Sequence, residues 1–150
     1  MELVTEPGPR LEEVRALFLE YANDLAFSLC FQGFDAELAG LPGAYAPPLG
    51  ALLLEHEKGC VGLRPVDQQT AEMKRLYVRP AARGSGLGRE LAQAASDAAR
   101  ERGYRRIVLD TIAGKMDRAI ALYRALGYRE IAPYYENPVE GAIYLELVLR

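Results

Sequence analysis

A chain of 150 residues, half of them hydrophobic, is long enough to fold as one domain, residues 1–150, around a substantial core. Its formal net charge of −3 argues against nucleic acid as the main partner. No apolar run reaches the roughly 18 residues that a membrane span requires. Since the first residues do not form a signal peptide either, we expect a cytoplasmic protein that binds no membrane.

Two cysteines and a single histidine limit the chemistry that the chain can perform. Cys30 and Cys60 lie far apart and form no C-x-x-C pair, which favours reduced thiols in or near the core. His56 is predicted to lie on the surface at the end of a strand. We therefore predict neither a catalytic cysteine–histidine pair nor a metal site.

The first half of the chain is predicted to contain a short strand, two helices and a hairpin. Apolar residues recur at helical spacing between Leu11 and Leu25, and Pro42-Gly43 ends the second helix. Lys58-Gly59 is typical of a tight turn between two strands. The predicted elements in order are residues 3–5, 11–27, 34–41, 50–55 and 59–66.

The second half alternates between strands and helices. Gly103 and Gly127 are predicted to follow the ends of its two helices, where a residue with positive φ is favoured. The predicted elements are a strand at 71–79, a helix at 86–102, a strand at 106–111, a helix at 115–126 and strands at 128–133 and 141–149. Meandering strands followed by this alternation indicate an α/β protein with a mixed sheet.

A glycine-rich loop separates the strand at 71–79 from the helix at 86–102. It reads Arg83-Gly84-Ser85-Gly86-Leu87-Gly88. The first turn of a helix has backbone N–H groups without partners and a partial positive charge, and glycines let an anion approach them. We therefore predict a phosphate-bearing ligand at about residues 83–89. Five basic residues are predicted to surround it: Lys74, Arg75, Arg79, Arg83 and Arg89.

The glycine spacing discriminates between classes of phosphate site. No Gly-Lys-Ser/Thr occurs, so the loop is not a P-loop. Gly84 and Gly86 fit the dinucleotide fingerprint G-x-G-x-x-G and Asp110 imitates its ribose-binding acid, but Arg89 stands where the third glycine belongs. The preceding strand is also too charged for a central parallel strand. What remains is R-x-x-G-x-G.

This loop resembles the coenzyme A loop of the GNAT superfamily of N-acetyltransferases. Residues 119–128, Ala-Ile-Ala-Leu-Tyr-Arg-Ala-Leu-Gly-Tyr, are similar to the A-x-x-L-Y-x-x-L-G-[FY] pattern of that family. The resemblance covers about residues 50–149 well, and residues 1–49 only in general layout. It implies a single-domain mixed α/β fold with a mostly antiparallel sheet of six or seven strands and about four helices. The cofactor slot would open between the strands at 71–79 and 106–111.

The resemblance implies acetyl-CoA as the cosubstrate. The backbone of residues 83–89 would hold the pyrophosphate, and the edge of residues 76–78 would pair with the pantetheine amides. The implied binding residues are Leu76, Tyr77, Val78, Arg83, Gly84, Ser85, Gly86, Leu87, Gly88 and Arg89. Homodimers are frequent in the family, although no local feature of this sequence requires one.

The resemblance also implies an acid and a base for direct acetyl transfer. Glu72 would remove the proton of the amine, directly or through a water, and Tyr123 would donate a proton to the departing thiolate. Alternatively, Glu72 is a solvated strand carboxylate paired with Lys74 or Arg75. Independently of Glu72, Tyr123 could instead be an aromatic residue of the buried helical stripe.

The acceptor is predicted to be a primary amine of a small molecule or of an amino-acid-like compound. Phe31, Phe34, Tyr134 and Tyr135 are candidates for lining its pocket, or else the two tyrosines cap a loop that closes the core. Three other functions remain open: a non-catalytic acyl-CoA-binding sensor, a nicotinamide-dependent oxidoreductase and an oligomerisation domain.

Overall fold

A computed structural model describes residues 1–25, 28–29 and 32–150. The described residues form one seven-stranded sheet: β1 (Glu2–Leu3), β2 (Ala51–Glu55), β3 (Gly59–Pro65), β4 (Thr70–Val78), β5 (Arg106–Ile112), β6 (Arg129–Ile131) and β7 (Ala142–Val148). They also contain four α-helices: α1 (Pro9–Asp24), α2 (Phe34–Ala39), α3 (Leu87–Glu101) and α4 (Asp117–Ala125). The predicted element types and their order are confirmed.

The strand order in the sheet is β1-β2-β3-β4-β5-β7-β6. Only β4 and β5 are parallel, and every other neighbouring pair is antiparallel. This confirms the mixed, mostly antiparallel sheet with four helices. It does not fit a nicotinamide-dependent oxidoreductase with a doubly wound parallel sheet.

Two elements have boundaries that differ from the predicted ones. The first helix begins at Pro9, where proline suits the first turn, and ends at Asp24 rather than at residue 27. The predicted strand at 128–133 shrinks to β6, which ends at Ile131, just before Pro133 removes a ladder donor.

Two hydrophobic cores cover the two faces of the sheet. On one face, α3 contributes a row of buried small and apolar residues, including Leu91 and Ala95, and Tyr123 of α4 packs beside it. On the other face, α1 buries Val14 and Leu17 against the first strands. Cys60 is buried in that second core, as predicted, whereas Cys30 lies outside the described residues.

A bulge in β4 divides the sheet. Arg75 has a φ of 60°, an uncommon value for a residue with a side chain, and the register with β3 shifts between Cys60 and Gly62. Before the bulge, residues 70–72 pair with residues 106–108 of β5; beyond it the two strands are no longer paired. Since β5 pairs with β7 along its whole length, the divergence opens a slot between β4 and β5.

The charged side chains of β4 are buried, because the strand lies at the centre of the sheet. Glu72, Lys74 and Arg75 are only 3%, 5% and 3% exposed. Each is paired within the fold, as buried charges require. The charge of this strand is therefore a sign of buried ion pairs and not of contact with solvent.

Candidate active site

The slot between β4 and β5 opens into a groove of about 670 Å³. Its walls come from α1, the second half of β4, the glycine loop and the first turns of α3 and α4. Nine of the ten residues predicted to bind the cofactor line this groove: Leu76, Tyr77, Val78, Arg83, Gly84, Gly86, Leu87, Gly88 and Arg89. Ser85 does not line it, and its hydroxyl donates a hydrogen bond to the carbonyl of Ala82 at 2.7 Å.

The N-terminus of α3 presents open backbone amides to the groove. Gly84 and Gly86 both have a φ of 85°, which is the conformational reason for glycine at these positions. A Cβ at either position would meet no atom within 4 Å, so the loop is open on that side. No side chain caps the helix, and in the described chain the first amide of this turn to find a partner is that of Glu90, which donates to Gly86. The amides of residues 87–89 are thus available to an anion.

The free edge of β4 faces the slot beside this helix. The amide of Arg79 donates to Lys58 of the turn before β3 at 2.8 Å. Backbone groups of successive strand residues point in opposite directions, so the amide and carbonyl of Val78 point into the slot. That carbonyl accepts a hydrogen bond from Nε of Arg83 at 2.9 Å. Arg83 also lies 5.8 Å from the ring centre of Tyr77, at the mouth of the groove.

The predicted cluster of basic residues around the loop is wrong for three of its five members. Arg83 and Arg89 line the groove, but Lys74, Arg75 and Arg79 do not. Arg75 binds both carboxylate oxygens of Glu37 at 2.9 and 3.0 Å, and Arg79 binds Glu20 at 2.8 Å. These three cations are engaged in ion pairs or hydrogen bonds within the fold.

A second, smaller cavity of about 50 Å³ continues the groove between the two strands. The inner cavity shares Tyr21, Leu76, Met116 and Ala119 with the groove, so the two are contiguous. Tyr123 of α4 forms part of its wall. The inner cavity thus joins the two faces of the sheet at the end of the groove.

Tyr123 is buried in the core and also lines the inner cavity. Its ring packs in the core of the α3 face, 5.5 Å from the ring of Tyr128. Its hydroxyl has no hydrogen-bond partner among the described residues, and burial raises the pKa of this phenol above its ordinary value. At neutral pH Tyr123 therefore carries a proton beside the inner cavity.

Glu72 is held away from both cavities. Its carboxylate accepts a hydrogen bond from Nε of Arg64 at 2.9 Å and another from the hydroxyl of Tyr134. It lines neither the groove nor the inner cavity. The alternative interpretation of Glu72 as a solvated carboxylate paired with Lys74 or Arg75 is wrong, because the group is buried and its cation is Arg64.

Sequence reasoning missed a buried polar network at the inner cavity. Asp110 of β5 accepts hydrogen bonds from the hydroxyl of Tyr135 and from Nδ2 of Asn137, the latter at 2.7 Å. Nζ of Lys74 lies 3.8 Å from the other carboxylate oxygen of Asp110 and donates to Gln32 at 2.9 Å. Burial lowers the pKa of Lys74. The available signal was Asp110 itself, a lone acid inside the apolar run of β5.

Of the four residues predicted to line the acceptor pocket, the structure describes three, and it places Phe34 in a different part of the fold from Tyr134 and Tyr135. Phe34 is buried under α1, with its ring centre 5.2 Å from the guanidinium of Arg75. Tyr134 and Tyr135 pack against each other and against Tyr144, with ring centres 5.4 to 5.8 Å apart. Phe31 lies outside the described residues. The hydroxyls of Tyr134 and Tyr135 donate hydrogen bonds to the carboxylates of Glu72 and Asp110 in the sheet, which fits a loop that closes over the sheet.

Within the described ranges, no helix is both long enough and apolar enough to cross a bilayer.

Comparison with known proteins identifies relatives along nearly the whole chain. The sequence profile of the Acetyltransferase (GNAT) family matches residues 12–128. An uncharacterized N-acetyltransferase of Schizosaccharomyces pombe is 36% identical over 143 residues, which span 91% of this chain and 87% of the relative.

Solved structures share the fold. An acetyltransferase from Streptococcus agalactiae superposes with a TM-score of 0.77 at 23% identity, over 99% of this chain and 98% of its own. A GNAT family acetyltransferase from Elizabethkingia anophelis, solved with acetyl-CoA bound, superposes with a TM-score of 0.66 at 23% identity, over 99% and 96% of the two chains.

Proposed function

The chain belongs to the acetyltransferase (GNAT) family, and from this premise we propose that it transfers an acetyl group directly from acetyl-CoA to a primary amine of a small molecule or amino-acid-like compound. The observation that supports this most strongly is the continuity of the groove. The groove begins at the open amides of residues 87–89 and leads to the inner cavity, whose wall includes Tyr123.

The residues present fit coenzyme A. The amides at the start of α3 suit the pyrophosphate, because they are unpaired and lie at the positive end of the helix dipole. The slot-facing edge of residues 76–78 suits the pantetheine amides, which would pair with it as an added strand. Arg83 and Arg89 supply positive charge at the same end of the groove. Bound acetyl-CoA supplies the thioester whose acetyl group is transferred.

Two proton transfers accompany the reaction. An amine with a pKa near 10 is only about one part in a thousand neutral at pH 7, a deficit of roughly 4 kcal/mol, so a base is needed near the acceptor nitrogen. The departing thiolate needs a donor, and the protonated hydroxyl of Tyr123 is suited to that role. Glu72 is the base that the family resemblance predicts.

Transfer without a covalent enzyme intermediate is supported by the positions of Cys60, the thiol that the structure describes, and of His56. Cys60 is fully buried, and burial raises the pKa of its thiol. His56 lies on an exposed turn, where its Nδ1 is 2.6 Å from Glu13. These two groups therefore do not form a nucleophile and its base.

The proposed function is tested by measuring binding and thiol release separately. Calorimetry should detect acetyl-CoA binding, and incubation with a panel of primary amines should release free coenzyme A together with one acetylated product seen by mass spectrometry. Binding without release from any amine would favour the acyl-CoA-binding sensor. Thermal stabilisation by NAD but not by coenzyme A would contradict the assignment of the groove.

A further inference from the structure

We propose that Asp110 is the catalytic carboxylate that takes the proton from the acceptor amine, and that Glu72 does not touch the reacting atoms. The role of Asp110 rests on the proposed function, since it requires that acetyl transfer to an amine occurs. It deepens that function by naming the base.

Access to the inner cavity distinguishes the two carboxylates. Asp110 and Tyr123 both line the inner cavity, so a residue with a carboxylate and one with a protonated phenol border the same small space. Glu72 pairs with Val108, which is two residues before Asp110 on β5, and at that point β4 and β5 are still paired. A base must come within hydrogen-bond reach of the proton that it removes, directly or through one water. Asp110 meets this condition in the cavity, whereas Glu72 is excluded from it.

The hydrogen bonds of the two carboxylates also favour Asp110 as the base. Both oxygens of Glu72 are engaged, one by Arg64 and the other by Tyr134. In Asp110, Oδ2 accepts the hydrogen bonds from Tyr135 and Asn137, and Oδ1 accepts none from the described residues. The nearest cation, Nζ of Lys74, is 3.8 Å from Oδ1, which is too long for a hydrogen bond. Oδ1 is therefore fixed in position by the bonds to its sister oxygen. Its ion-pair partner Lys74 forms no hydrogen bond with it, so Oδ1 can accept one from an incoming N–H.

The charges around Asp110 favour a cationic acceptor. Lys74 on β4 faces it, but burial lowers the pKa of that amine and weakens its competition for the carboxylate. Arg75, the next cation on β4, is neutralised by Glu37. Glu72 on β4 is paired with Arg64. The other titratable neighbours include phenols whose pKa values burial raises, so they stay uncharged: Tyr21 on α1, Tyr123 on α4, and Tyr134 and Tyr135 on the loop before β7. The open oxygen thus suits a primary ammonium group.

The proposed step balances in protons and bonds. The ammonium gives one proton to Oδ1 of Asp110, and the freed lone pair forms the bond from nitrogen to the acetyl carbonyl carbon. The carbon–sulfur bond breaks, and the thiolate takes the hydroxyl proton of Tyr123. Tyr123 recovers a proton from the same nitrogen, and Asp110 releases its proton to solvent. Each turnover gives one amide, one free thiol and one proton.

Asp110→Asn in the full chain tests this assignment. We expect kcat/KM at pH 7 to fall by about 100-fold or more, the usual contribution of a general base. Acetyl-CoA affinity, measured by calorimetry, should change less than about three-fold, because the groove is untouched. The deficit should shrink as the pH rises towards the pKa of the amine, since the acceptor then loses its proton without help. A deficit of constant size at every pH would overturn the proposal.

Two further comparisons keep the test independent of folding. The side chains introduced by Asp110→Glu and Asp110→Gln have nearly the same size but differ in charge. The glutamate variant should therefore be at least about ten-fold faster than the glutamine variant. Equal rates would contradict a proton-accepting role. Glu72→Gln should retain the pH dependence of the unaltered protein. A flattened profile in Glu72→Gln together with a normal one in Asp110→Asn would assign the base to Glu72.

The proposed function fails in a different way. If the unaltered protein binds acetyl-CoA but acetylates no amine, acetyl transfer itself is wrong and Asp110 has no such role. If the unaltered protein is active and Asp110→Asn matches its rate and pH profile, acetyl transfer stands and only the assignment of Asp110 is overturned.

Discussion

The two ends of the slot are built in opposite ways. The outer end, at the glycine loop, uses backbone amides of adjacent residues and leaves them open. The inner end uses side chains from distant segments, among them Gln32, Asp110 and Tyr135, and connects them in a buried network. A binding site made of backbone depends on local conformation, whereas one made of side chains depends on the whole fold.

The two ends of the slot also differ in how exposed their charged side chains are and in how those side chains are paired. Arg83, at the outer end, is about half exposed and can move towards a ligand. The cations of the inner region are fixed against buried acids. Exposed pairs contribute little to stability, but breaking a buried pair leaves an uncompensated charge and costs several kcal/mol. We therefore expect substitutions at the outer end to change ligand binding, and those at the inner end to change folding or chemistry.

The largest effect is expected at the outer end. Gly86→Glu would put a carboxylate beside the open amides of α3 and force a side chain into a backbone with positive φ. Losing about two charge-assisted hydrogen bonds, roughly 4 kcal/mol, should lower acetyl-CoA affinity by about 1,000-fold in calorimetry. Gly103→Glu is the matched control, since Gly103 has a φ of 84° at the opposite end of the same helix. Equal losses in the two variants would mean that backbone strain, and not the anion site, is responsible.

The next effect is on the stability of the inner region. Glu37→Gln leaves Arg75 charged and buried, with side-chain exposures of 1% for Arg75 and 10% for Glu37 in the intact pair. We expect the free energy of unfolding to fall by about 3 kcal/mol in denaturant titrations. Glu20→Gln breaks the pair with Arg79, whose members are 39% and 31% exposed, and should cost less than about 1 kcal/mol. Similar costs in both would remove the distinction between buried and exposed pairs.

A smaller effect is expected where the two ends meet. Tyr123→Phe should lower kcat by about 100-fold while leaving acetyl-CoA affinity nearly unchanged, because only the proton donor is lost. Tyr128→Phe removes another buried hydroxyl, one that lines neither cavity, and should change kcat by less than about two-fold. An unaltered kcat in Tyr123→Phe would return that residue to a packing role.

The smallest expected effect is a dependence of stability on acid. Burial alone would raise the pKa of Glu37, but the hydrogen bonds from Arg75 outweigh it and hold the pKa below its ordinary value. A carboxyl with a lowered folded-state pKa stabilises the fold above its unfolded pKa, near 4.3, and loses that contribution as the pH falls through the folded value. Unfolding measured below about pH 4.3 should therefore be less pH-dependent in Glu37→Gln than in the unaltered protein.

The same contrast explains what the sequence could predict. The glycine loop, the helix after it and the tyrosine helix lie in contiguous motifs, so their elements could be located to within a few residues. Asp110, Asn137 and Gln32 meet only because β5 lies beside the splayed strand and a loop folds over it. No spacing in the sequence encodes that meeting. The burial of Glu72 was also hidden, since its partner Arg64 is on a neighbouring strand and its other partner, Tyr134, lies 62 residues away.

The bulge at Arg75 has a consequence for the dynamics of the sheet. Because β4 and β5 share only a three-residue ladder, strands β1–β4 and strands β5–β7 are two panels joined along a short seam. A ligand lying in the slot would give the slot-facing amides of Leu76 and Val78 the partners that β5 does not provide. Their hydrogen–deuterium exchange should then slow on binding and recover when product leaves. The two halves of the sheet are therefore bridged by the ligand and separated again once in every catalytic cycle.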